Sequence, residues 1–195
     1  MADLPLAIPR DRQEVLDELD RLERELAALV EPIDDVRFNW RPDGGRAWSI
    51  GQCVEHLTRA NRAYLEALAR AIERAAGRSG REGAALDPGP FGGWFVRAMD
   101  EKSGRSFKAP GKIQPDSDCP RASTLAGFAG VQAEVRELVR GSAHRDLNRI
   151  RFANPFVAGL PLLNVAAGLL VIPAHERRHL RQARKVAQLP EFPAA

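Results

Sequence analysis

Two of the chain's four histidines stand in one short run, His175 and His179 in HERRHLRQ. On a helix, a spacing of four turns the side chain by about 40°, so both imidazoles project from one face, a turn apart. A third histidine, His56, lies far upstream, with Ala60, Ala63 and Ala67 after it at helical spacing. Small side chains along that strip let helices approach closely or leave room for an ion and its waters. One histidine from one helix and an i, i+4 pair from another can converge on one face of a metal ion in a bundle core. Three neutral imidazoles leave coordination positions open for water or substrate, as a catalytic site requires. Nitrogen donors suit zinc, nickel, copper or iron far better than magnesium or calcium. The residues alone leave a second reading open, with His175 and His179 on a helix surface and His56 hydrogen-bonded in a core.

HERRH also matches the metalloprotease string H-E-x-x-H. That chemistry needs a further ligand downstream, where only Gln182 and Glu191 remain, so peptidase activity is disfavoured. Around the histidines, Cys53 lies one turn before His56 and is either a fourth ligand or a small buried hydrophobe. Trp48 can wall a pocket or simply staple the start of a helix. Gln182, three residues beyond His179, can hydrogen-bond a substrate or an imidazole, or sit on the surface as a plain amide. No general base stands out: Glu55 and Glu176 adjoin histidines in sequence but point about 100° away around a helix. Glu176, Arg177, Arg178 and Arg181 are expected mostly in solvent. His144 falls just past a helix end, where histidine is favourable anyway.

Four helical segments must position these groups. The first spans about 11–30, with Leu16, Leu19, Leu22, Leu26 and Leu29 on one stripe, Asp11 and Glu14 at its start and Pro32 past its end. The second spans about 49–76: Ser49 and Gln52 form a capping box, Ile50, Val54, Leu57, Tyr64, Leu65, Leu68 and Ile72 face inward, and Gly77 is the stop. The connection at about 78–120 is rich in glycine and proline, with a short helix expected in WFVRAMDEK and with Trp94 and Phe95 pinning it to the bundle. Its length lets the third helix, about 124–140 behind a Ser123 or Thr124 cap, run parallel to the second. The fourth spans about 162–188, with Pro173 expected to kink or divide it. The expected fold is an all-α four-helix bundle with a long crossover between helices two and three, and one domain over residues 1–195.

Composition narrows the function classes. With 44% hydrophobic and 28% charged residues, the 195-residue chain has an ordinary globular mix. The formal net charge is +3, and acids interleave the arginines in RLERE and HERRH, which argues against nucleic-acid binding. LPLLNVAAGLLVIPA is punctuated by Asn164 and Pro173, a core helix rather than a membrane span. The N-terminus lacks signal-peptide character, and Cys53 and Cys119 suggest no disulfide framework, so a cytoplasmic location is expected.

WSIGQCVEHLTRANRAYL resembles the second-helix signature of the DinB-like (DinB/YfiT) superfamily, in which W-S-x-G leads to H-L. PAHERRHLRQARKV is similar to its last-helix signature, H-x-x-x-H followed by glutamine. Helix order, the long second connection and chain length agree, so the resemblance spans nearly the whole sequence. It implies a metal-binding four-helix bundle, often homodimeric, with nickel or zinc on His56, His175 and His179. It further implies a metal-dependent hydrolase or a transferase using a low-molecular-weight thiol, acting on a small molecule. A bundle that holds metal without catalysis, or that regulates a partner protein, is the alternative.

Overall fold

The computed structural model describes residues 8–75, 79–81, 83–100, 109–156 and 163–194. The chain is mostly helical, with four long helices and two short ones among the described residues: α1 (Arg12–Val30), α2 (Asp35–Asn39), α3 (Ile50–Arg74), α4 (Gly89–Met99), α5 (Arg121–Gly141) and α6 (Val165–Ala187). A minimal antiparallel ribbon pairs β1 (Arg151–Phe152) with β2 (Leu163–Asn164). The all-α expectation holds, with this ribbon and one isolated bridge, Ser79 to Arg145, as the β features among the described residues.

Cross-helix partners fix the directions. Glu18 and Glu25 of α1 pair with Arg177 and Arg184 of α6, so these helices run together. Asp20 and Glu23 of α1 bind Arg136, whereas Val30 accepts from Arg121, so α1 opposes α5. Arg62 of α3 pairs with Glu134 of α5, and Gly51 abuts Cys119, so numbering rises together along these two. The crossover therefore makes α3 and α5 parallel, as its length allows.

Local chemistry explains the boundaries. Asp11 accepts from the Glu14 amide at 2.9 Å, and both bonds of the Ser49–Gln52 capping box form. Asn164 caps α6 by accepting from Ala167 N at 2.8 Å, which sets the start at Val165 rather than 162. Residue 162, the Gly77 stop and residue 76 lie outside the described residues. No Ser123 or Thr124 cap forms; α5 starts at Arg121 behind Pro120, and Ser123 donates instead to the Pro120 carbonyl. Pro173 does not divide α6. It removes one helical hydrogen bond, but residues 165–174 are buried throughout, and that packing carries the helix across it.

Two apolar clusters make the core. One centres on Val15, Leu19, Leu68, Val135 and Leu170, the other on Leu22, Leu26, Phe38, Ile50 and Phe128. The α1 stripe is rotated slightly from expectation: Val15 and Val30 are buried while Leu16 and Leu29 pack at its edge. The short helix of the crossover begins earlier than expected, at Gly89, and ends at Met99; Glu101 and Lys102 lie outside the described residues. Val96 and Phe95 dock it, and Trp94 stays 44% exposed, stacked on Phe91.

Candidate metal centre

His56 sits in α3 one turn past the capping box, and His175 and His179 in the middle of α6. The antiparallel packing of α3 on α6 brings the three rings together. Their nitrogens lie within 4.8 Å of one another, a group that could hold a metal ion. Nε2 of His175 is 3.3 Å from Nε2 of His56 and 3.1 Å from Nε2 of His179. Ligands at about 2.0–2.1 Å from a tetrahedral or octahedral ion lie roughly 2.8–3.4 Å from each other, so this spacing suits a tripod.

The outer ring nitrogens set the tautomers. Nδ1 of His56 faces the Ile113 carbonyl at 2.7 Å, and Nδ1 of His179 faces Gln182 Oε1 at 3.0 Å. Each Nδ1–H donates to its oxygen, which leaves the Nε2 lone pairs bare and inward. Ile113 belongs to a 3-10 turn, Gly111–Ile113, in the long connection, and its buried side chain holds that turn in place. Arg59 steadies the same stretch by donating to Gln114 O at 2.6 Å and Asp116 Oδ2 at 2.6 Å.

Electrostatics keep the rings neutral. Desolvation lowers the His56 pKa against the pull of its Ile113 bond. His175 is pushed well below the usual value by burial, then by the neighbouring histidines and Arg178. Burial, with His56 and Arg178, takes His179 down to about 3. Neutral imidazoles are the ligating form, so the donor set fits a transition-metal ion.

Trp48 lines this centre: its ring centroid is 4.9 Å from that of His56 and 5.8 Å from that of His179, stacked on the latter. Gln182 touches a ring rather than solvent alone. Cys53, by contrast, is not a fourth ligand in this arrangement. It is buried, its thiol is pushed up by desolvation, and it falls outside the three-histidine group. It packs in the apolar cluster with Val54 and Leu57.

Neither adjacent glutamate serves the rings. Glu55 accepts from Arg59 at 2.7 Å. Glu176, expected in solvent, is only 1% exposed and lies between Asn61 Nδ2 at 2.7 Å and Gln132 Nε2 at 3.0 Å. Arg177 is also buried, donating to Glu18 and Asp100. Hence HERRH is not arranged as a peptidase motif: its glutamate is engaged elsewhere, and the third nitrogen comes from α3. The Ile113 carbonyl carries no sequence signal, since every residue has one. Asn61 and Gln132 were detectable only as amides at inward positions of apolar helix faces.

Residues 18–183 match the DinB superfamily, and this span includes all three histidines. The chain belongs to the DinB superfamily. Comparison with curated proteins finds no match. Among the described residues of this DinB-superfamily chain, no helix is long and apolar enough to cross a membrane.

Proposed function

We propose that this DinB-superfamily chain holds one nickel or zinc ion on His56, His175 and His179 and acts as a metal-dependent hydrolase or a thiol-dependent transferase on a small molecule. The convergence of three Nε2 atoms, two of them on rings anchored through Nδ1, carries the reading. When bound, the ion supplies Lewis acidity, which acidifies a water or a low-molecular-weight thiol brought to an open position.

The chain's own part is positional. Ile113 and Gln182 orient two rings, burial keeps all three neutral, and Trp48 shields one side of the cluster from water. Because Glu55 and Glu176 are committed to other partners, neither of the carboxylates next to a histidine in sequence is free to act as base. Thiol activation, which asks no carboxylate of the chain, is therefore better supported than base-assisted hydrolysis. A cytoplasmic homodimer belongs to the same proposal: the dimer rests on the family resemblance alone, and the location on cysteine usage, with Cys53 and Cys119 both free.

The test is a turnover screen of the nickel- and zinc-loaded protein against ester, amide and thiol-transfer substrates, with and without a low-molecular-weight thiol. Thiol-dependent turnover abolished by His56→Ala supports the transferase. Stoichiometric metal without turnover in any arm leaves a non-catalytic binding role.

A further inference from the structure

We infer that the chain has a second binding site, for a small molecule that carries two or more negative oxyanion charges on an apolar body. It is a cleft of about 560 Å³ between the C-terminal end of α3 and the segment around β1. Four arginines line it: Arg70 and Arg74 from α3, Arg149 and Arg151 from the opposite wall. The i, i+4 spacing puts the first two on one helix face, while Arg149, in the turn before β1, and Arg151, in β1 itself, both line the opposite wall. Ile150 and Phe152 lie between and beside them, 2% and 4% exposed, and form an apolar floor.

The charge is not locally balanced. Arg70 reaches Glu66 only at 3.9 Å, and Arg149 reaches Asp146 at 3.4 Å. Arg74 and Arg151 have no carboxylate partner among the described residues. Arg59, Arg136 and Arg177, by contrast, have two acidic partners each. Guanidinium groups that converge from two walls suit bidentate capture of phosphate or carboxylate oxygens. The cleft's volume is that of a small-molecule pocket, and its walls are too local for the extended basic track that a nucleic-acid strand needs. It is also separate from the histidines: Arg70 and Arg74 lie roughly 20–27 Å beyond His56 along α3, at about 1.5 Å per residue.

The test is titration calorimetry of the full chain at low salt with phenyl phosphate and, separately, benzene-1,3,5-tricarboxylate, beside an Arg74→Gln/Arg151→Gln variant. These exposed substitutions leave the core intact, which circular dichroism verifies. One-to-one binding of either probe, weakened at least about tenfold in the variant, is expected, since charge-assisted bonds are lost. The stronger probe tells a phosphate source from a carboxylate one. Three results would overturn the site: no saturation by either probe up to about 10 mM, equal binding by the variant, or tighter arginine-dependent binding of a single-stranded oligonucleotide. Because neither altered residue is near the histidines, metal content stays unchanged in the variant, and failure here leaves the metal proposal untouched.

Discussion

Nδ1 of His56 lies 2.7 Å from the carbonyl oxygen of Ile113, so a backbone atom of the long crossover orients a ring on α3. The crossover thus does more than carry the chain back to start a parallel helix; it completes the surroundings of the candidate centre. Ile113 is 5% exposed, and its side chain is what seats the turn. Ile113→Ala should keep all three histidines yet lower metal affinity about tenfold, in the range seen when a ligand's hydrogen-bond partner is lost. Chelator competition measures this. Unchanged affinity would mean that the turn does not hold the ring.

Gln182 performs the same task for His179, at 3.0 Å from Nδ1. Gln182→Ala should weaken metal binding roughly 10–100-fold, and Gln182→Glu, which keeps an acceptor oxygen, should recover most of it. If the glutamate variant is as weak as the alanine one, the bond is not orienting the ring.

Burial raises the Glu176 carboxyl to about 8, although Asn61 and Gln132 both donate to it. The folded chain then keeps a proton that the unfolded chain releases near the ordinary carboxyl value. The associated stability is full below that value and is lost as pH rises through about 8. Glu176→Gln cannot ionise, so it should raise the melting temperature of metal-free protein near pH 9 and change it little near pH 4. An equal effect at both pH values would contradict the buried, proton-holding carboxyl.

Arg177 is 2% exposed at its side chain and joins Glu18 of α1 to Asp100 at the end of α4. Arg177→Ala removes the buried charge that links these elements, while Glu18 keeps its bonds from Arg21, so it should cost about 3 kcal/mol in urea unfolding, the low end for a broken buried pair. A loss no larger than that of an exposed pair, about 1 kcal/mol or less, would show the network to be solvated.

Legibility in the sequence followed the range of the interactions. The Ser49–Gln52 box and the pairing of His175 with His179 are local, set by spacings of three and four, and they stand as read, while the equally local stripe of α1 stands but for a slight rotation. His56 could be joined to them only by supposing that α3 and α6 pack side by side, which the family signature supplied and the packing bears out. The start of α6 was misplaced because the apolar run continues through Leu163, where β-pairing rather than helix takes the backbone. The burial of Glu176 and Arg177 was invisible, because a charge next to a histidine gives no sign of the distant Asn61, Gln132, Glu18 and Asp100 that receive it. The role of Ile113 was equally hidden, since it resides in a carbonyl.

Metal content of the purified, untagged protein, measured by elemental mass spectrometry beside a His175→Ala/His179→Ala variant, tests the central claim most directly. The three-histidine centre predicts close to one equivalent of nickel or zinc in the parent protein, lost in the variant while helical content is retained. A parent protein that neither retains a divalent metal nor takes one up on reconstitution would contradict it.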